Sequence, residues 1–241
     1  MKLGISSYTF TWAIGVPGHP PAHPMSAFGL LDKAQDLGVG VVQIADNLPL
    51  HALSSEEIAA LAARADAAGV AIEVGTRGIA PDHLRTYLHL ALRLGSPILR
   101  VVMDTAAQHP TPDEVVATVK AFVPALEAAG VTLAIENHDR FASAKLVEIL
   151  RRIDSANVGV CLDTVNSFGA LEGPDVVVRT LGPWTVNLHV KDFAITRASH
   201  QMGFTIEGRP AGQGRLDVPW LLATLRVRDR DMNAILELWT P

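Results

Sequence analysis

Four ionisable side chains each stand where a short apolar run stops. Glu136 follows Val131-Thr132-Leu133-Ala134-Ile135, Asp163 follows Val158-Gly159-Val160-Cys161-Leu162, His189 follows Val186-Asn187-Leu188, and Glu237 follows Ala234-Ile235-Leu236. Three carboxylates and one imidazole are ligand types for a divalent cation. An oxygen-rich set with a single nitrogen favours Mn²⁺, with Mg²⁺, Co²⁺ and Zn²⁺ as alternatives. Gathered into one mouth without a cation, three carboxylates would repel one another strongly.

The runs that carry these groups are too short for helices and suit strands buried on both faces. Their ends lie 27, 26 and 48 residues apart, and the first two intervals match one strand-helix-strand repeat. The alternation holds along the whole chain. Strands are expected at 3–7, 39–45, 70–74, 98–102, 131–136, 158–163, 185–190 and 232–238. Helices are expected at 26–37, 54–69, 81–94, 111–130, 143–153, 175–181 and 217–228. Ser54-Ser55-Glu56-Glu57 and Thr111-Pro112-Asp113-Glu114 open two of the helices with a capping residue and acids in the first turn, and Gly38, Gly69 and Gly130 close three.

Eight such units predict an α/β fold, a (β/α)8 TIM barrel formed by a single domain over residues 1–241. The chain stops three residues after the eighth strand, so the eighth outer helix is expected to be absent. A partner subunit of a homo-oligomer, or the loop at 17–24, would then cover the gap. In such a barrel the carboxyl ends of all strands meet on one face, which brings Glu136, Asp163, His189 and Glu237 together.

Bulk properties agree with an ordinary, slightly apolar globular protein. A chain of 241 residues, 49% hydrophobic and 19% charged, is long enough for one such barrel, which typically needs about 250 residues. A net charge of −5 argues against general affinity for nucleic acid. The single cysteine, Cys161, excludes an internal disulfide and fits a reducing compartment. No apolar run approaches the roughly 20 residues of a membrane span, and the N-terminus has no signal-peptide core. A cytoplasmic protein without membrane contact is expected.

The segments Ile135-Glu136-Asn137-His138, Cys161-Leu162-Asp163-Thr164, Leu188-His189-Val190-Lys191-Asp192 and Leu236-Glu237, in this order, resemble the xylose isomerase-like barrel family of sugar and sugar-phosphate isomerases and epimerases. Gly212-Gln213-Gly214-Arg215-Leu216-Asp217 is similar to that family's Gly-x-Gly-x-(Ile/Leu)-Asp segment. The resemblance implies that Glu136, Asp163, His189 and Glu237 bind one divalent metal, and that Glu136 and Glu237 also exchange protons with a small carbohydrate substrate. A metal that grips a ketone and its neighbouring hydroxyl would stabilise an enediolate, and a carboxylate on each side could remove and return a proton. The expected activity is isomerisation or epimerisation of a keto-sugar or sugar acid. Dehydration or decarboxylation on the same site is the alternative, and a non-catalytic sugar-binding protein ranks below both. Ketose 3-epimerases of the family carry a histidine three residues after the aspartate. Here that residue is Asn166, which can hydrogen-bond substrate but cannot act as an acid near neutral pH.

Other residues carry two readings each. Lys191 either holds a substrate anion or pairs with Asp192 or Asp163. Arg209, in a Gly/Pro-flanked loop, either binds a substrate anion or is solvated. Arg77 and Arg100 either neutralise acids inside the barrel or meet substrate, with Arg77 the better placed for substrate. His138 either supports a ligand or contacts substrate. Tyr8, Phe10 and Trp12 form a wall for sugar carbons or pack in the core. His19 and His23, among prolines, suit a lid or interface more than a metal site, and Cys161 reads as an inert core thiol. A repair endonuclease on this barrel would need a histidine-rich zinc cluster and a basic groove. One histidine among the four ligands and an acidic chain argue against it.

Overall fold

The computed structural model describes residues 1–226 and 232–239. The chain opens with β1 (Leu3–Ser6), a 3-10 turn (Ser7–Phe10) and a short helix α1 (Thr11–Ile14). There follow α2 (Ala27–Leu37), β2 (Val41–Ile44), α3 (Ser55–Ala68), β3 (Ala71–Arg77), α4 (Pro81–Arg93), β4 (Ile98–Val102), α5 (Pro112–Ala129) and β5 (Thr132–Glu136). Next come α6 (Ser143–Ile153), β6 (Val158–Asp163), α7 (Pro174–Leu181), β7 (Thr185–Val190), β8 (Asp192–Arg197), β9 (Phe204–Arg209), α8 (Val218–Arg226) and β10 (Ala234–Leu236).

Eight of the strands close into a parallel barrel in the order β1-β10-β7-β6-β5-β4-β3-β2. The helices are delimited as their sequences dictate. Ser54 Oγ accepts from the Glu57 amide at 3.2 Å while the Glu57 carboxylate accepts from the Ser54 amide at 2.8 Å, and Thr111 and Glu114 repeat the exchange at α5. Apolar strand residues such as Val42, Val74, Leu133 and Leu162 pack under the helices as one continuous core. The barrel interior is polar instead. Gln43 of β2 bonds Asn187 and His189 of β7, which is not its neighbour in the sheet, so these side chains meet across the lumen. Among the described residues no helix is long and apolar enough to cross a membrane, and no helix follows β10.

The structure departs from the sequence reading at the first strand and after β7, besides small shifts at other element ends. The first strand ends at Ser6 because the Ser6 side chain caps the turn that follows, accepting from the Tyr8 amide at 3.1 Å. The glycine-rich stretch after β7 is not all loop: β8 and β9 form an antiparallel hairpin with Asp192 opposite Arg209. Its aromatic and β-branched residues, Phe193, Ile195, Thr196, Phe204, Thr205 and Ile206, are the strand signal. The last helix is described to Arg226, and the final two positions expected for it, 227 and 228, lie outside the described residues.

Asp192 ties the hairpin to the loop behind it. Its Oδ1 accepts from the Phe193 and Leu216 amides at 2.7 and 2.9 Å, and its Oδ2 from the Gly212 and Gly214 amides at 2.9 and 2.8 Å. A Cβ on Gly214 would collide with that carboxylate, so the Gly-x-Gly-x-Leu-Asp segment is a cradle for Asp192.

Candidate active site

Strand register brings the four expected ligands together. Asp163 lies beside His189, Glu136 beside Cys161, and His189 beside Ile235, two residues before Glu237. All four are buried. His189 Nδ1 stands 3.4 Å from Glu136 Oε2, 3.5 Å from Glu237 Oε1 and 3.7 Å from Asp163 Oδ2. Despite that proximity, His189 Nδ1 and Glu237 Oε1 make no hydrogen bond among the described residues. Two orphaned polar atoms in a dry, acid-lined space call for a cation. The ligand atoms of Asp163, His189 and Glu237 form one compact group, and Glu136, Cys161 and His189 form a second that shares the histidine. Three carboxylates and an imidazole at these separations fit a divalent metal.

Part of the balancing charge comes from side chains that the ligand runs do not contain. Lys191 Nζ lies 2.6 Å from Asp163 Oδ2, 2.8 Å from Glu237 Oε2 and 3.3 Å from Asn166 Oδ1. Of the two pairings open for Lys191, Asp163 is the one made. Arg100 crosses from β4 to pair with Glu136 through Nε and with Asp46 through Nη1 at 3.1 Å. Gly75 leaves room for it: a Cβ there would stand 3.3 Å from Arg100 Cδ.

The ionisation states follow. Burial disfavours each charged form, and the opposite charges outweigh it. Asp163 is held well below the usual carboxylate range by Lys191 and His189. Glu237 is held low by His189, Lys191 and Arg100. Lys191 is held above its ordinary value by Asp163, Glu237 and Glu136. The His189 ring is raised by Cys161 first and then by Glu237, Glu136 and Asp163 around it. Burial and the Asp46 carboxylate push the Tyr8 phenol up to about 12.

Above this cluster opens a cavity of about 510 Å³, within the usual range for small-molecule sites. Glu136 and Glu237 form its floor with Lys191, Arg100 and Asn166, while Asp163 and His189 lie behind them. Arg77, Tyr8, Trp12 and His138 line the walls. Arg77 is about one-third exposed and its Nε bonds Asp46 at 3.2 Å. His138 Nδ1 is 3.3 Å from Asp139. Asn166 Nδ2 donates to Glu136 Oε1 at 2.7 Å. Phe10 packs against the core instead.

Arg209 alone of the expected substrate residues stays off the cavity wall. It sits on β9, where residues two apart share a face, and its guanidinium is taken by Glu207 at 2.9 Å. In its place the hairpin presents Ile206, Glu207 and Gly208 to the cavity, and Trp239 after β10 completes the rim. The sequence reading missed these hairpin residues, which carried only the weak alternation of a short strand.

Comparison with known proteins places this geometry. The chain is 36% identical over 243 residues to 3-oxo-isoapionate decarboxylase of Pectobacterium atrosepticum, across 100% of this chain and 86% of that protein. D-psicose 3-epimerase of Clostridium cellulolyticum H10, solved with D-tagatose, superposes with a TM-score of 0.74 at 18% identity, over 99% of this chain and 85% of that one. A xylose isomerase-like barrel protein of Mycobacterium smegmatis, solved in complex with magnesium, superposes with a TM-score of 0.76 at 14% identity, over 100% and 90%. At such identities the two structures speak for the fold. The family model for the xylose isomerase-like TIM barrel matches residues 31–241, and it is to this family that the chain belongs.

Proposed function

We propose that this protein is a divalent-metal-dependent lyase that decarboxylates a small 3-oxo sugar acid through an enediolate. One asymmetry carries the reading. Glu136 is bonded at both oxygens, by Arg100 on Oε2 and by Asn166 on Oε1, whereas Glu237 Oε1 makes no hydrogen bond among the described residues, with His189 Nδ1 3.5 Å away. Epimerisation by two opposed bases needs two carboxylates free to move a proton. Decarboxylation needs one proton delivered once, and one carboxylate with an oxygen outside the hydrogen-bond network suffices.

A metal held by Glu136, Asp163, His189 and Glu237 would supply Lewis-acid stabilisation of the enediolate, and Mn²⁺ or Mg²⁺ suits the donor set. The remaining work falls to the chain. Lys191 and Arg100 balance the carboxylates of the ligand cluster, and Arg77 is the cavity cation that stands outside it. Arg77, on the cavity wall with about a third of its side chain exposed, is placed to receive the substrate carboxylate. In a 3-oxo acid the bond between the carboxylate and the next carbon breaks and carbon dioxide leaves. The electron pair passes towards the ketone oxygen. Glu237 hands a solvent-derived proton to the carbon that lost the carboxylate, which yields a hydroxyketone. Asn166 and Arg100 hold Glu136 as a ligand. The 36% identity to a 3-oxo acid decarboxylase supports the same outcome.

The test is NMR in D₂O of the Mn²⁺- or Mg²⁺-supplemented protein with carboxyl-labelled 3-oxo sugar acids and with free ketoses. Metal-dependent labelled bicarbonate, with one solvent deuteron in the ketose product, is the expected result. Deuterium exchange into a ketose without carbon dioxide release would establish the isomerase reading in its place. Silence towards both classes, with metal bound, would remove the proposal.

A further inference from the structure

Beneath the ligand cluster the barrel holds a second polar layer that none of the steps above uses. Its centre is Glu73 on β3, a buried carboxyl that accepts from three amide nitrogens: Gln43 Nε2 at 3.0 Å, Asn187 Nδ2 at 2.9 Å and Asn233 Nδ2 at 2.7 Å. Gln43 Nε2 also reaches Asn187 Oδ1 at 3.0 Å. An amide nitrogen only donates and an amide oxygen only accepts. Glu73 and Asn187 therefore fix which way the Gln43 amide faces, with nitrogen towards them and oxygen away. That oxygen lies 2.7 Å from His189 Nε2, so Nε2 carries the hydrogen. The other ring nitrogen, Nδ1, is the orphaned atom facing Glu136, Asp163 and Glu237.

We propose that Gln43 and Glu73 are positioning residues for the metal centre, which together hold His189 in the Nε2–H form with Nδ1 presented to the cation. The inference rests on the metal reading of the site. Reversing the Gln43 amide would set two donors against each other at His189 and two acceptors against each other at Glu73. With all of these groups buried, water cannot relieve the mismatch. The orientation of His189 is thus decided from β3, four strands away in the barrel, by a carboxyl outside the ligand cluster.

The test reads metal affinity and the imidazole nitrogens, not turnover. In ¹⁵N-histidine protein loaded with Mg²⁺ or Zn²⁺, the His189 hydrogen is expected on Nε2; a hydrogen on Nδ1 would overturn the inference without any variant. Gln43→Leu should weaken Mn²⁺ binding, measured by EPR or calorimetry on folded protein, by about 10- to 100-fold. Gln43→Glu alone should also weaken it, because two carboxyl groups would then face each other. The exchange Gln43→Glu with Glu73→Gln should restore binding to within a few-fold, since acceptor and donor change places and the Asn187 amide can turn over to match both. Wild-type Mn²⁺ affinity in Gln43→Leu, or no recovery in a folded double variant, would refute the positioning role. Wild-type protein that binds no Mn²⁺ would instead refute the metal reading beneath it.

Discussion

Lys191 Nζ lies 2.6 Å from Asp163 Oδ2, so an ammonium group from the strand end next to β8 sits inside the acid cluster that the metal would occupy. Lys191 also pairs with Glu237, and the three groups are almost wholly screened from solvent. In the metal-free protein this ammonium and Arg100 carry the positive charge that three buried carboxylates require.

Lys191→Met should therefore destabilise the metal-free protein far more than the metal-loaded one. Removing one member of a buried pair costs about 3–5 kcal/mol, which for a chain of this length lowers the melting temperature by roughly 10 °C. Saturating Mn²⁺ should recover much of the loss. Thermal melts with chelator and with Mn²⁺ check this, and an equal loss in both would show that Lys191 and the cation do not share the charge balance.

Glu237→Gln should lower turnover by roughly 10²- to 10⁴-fold, the usual worth of a positioned proton donor. The barrel should stay intact, since the glutamine oxygen can still accept from Lys191 as Glu237 Oε2 does, and Glu237 Oε1 makes no hydrogen bond among the described residues. Circular dichroism beside a carbon dioxide release assay decides it, and wild-type turnover would exclude Glu237 as the proton carrier.

Gly214→Ala should destabilise the fold by about 2 kcal/mol through crowding, because its Cβ would collide with Asp192. Asp192→Ala, which strands four backbone amides, should cost about 3 kcal/mol. Both should also loosen the hairpin that presents Ile206 and Glu207 to the cavity. Urea unfolding together with amide exchange over residues 192–216 measures the two effects.

The alkaline limb of stability should bear the mark of the tyrosines. Burial is the main cause that raises both Tyr8 and Tyr87, Tyr8 to about 12 with Asp46 adding to it. The folded state therefore keeps phenolic protons that the unfolded chain releases near pH 10. Their contribution is whole below pH 10 and falls away as pH rises through about 12. Tyr8→Phe should flatten that decline in urea melts between pH 9 and 12, and an unchanged slope would mean that Tyr8 titrates normally.

The fold and the ligand runs were legible because both depend on local pattern. Short apolar runs punctuated by capped, glycine-terminated helices dictate alternation, and eight alternations dictate closure, which carries Glu136, Asp163, His189 and Glu237 to one face. What surrounds those four residues was decided by tertiary structure. Arg100 reaches Glu136 and Asp46 past Gly75, where a Cβ would crowd its side chain. Lys191 chooses Asp163 over Asp192 because the Gly212–Gly214 cradle already holds Asp192. Arg209 stays off the cavity wall, its guanidinium held by Glu207 on the same strand. Gln43 meets His189 across the barrel, 146 residues away in sequence. A side chain's partner depends on strand register and on what else fills the lumen, and those quantities exist only once all eight strands have closed.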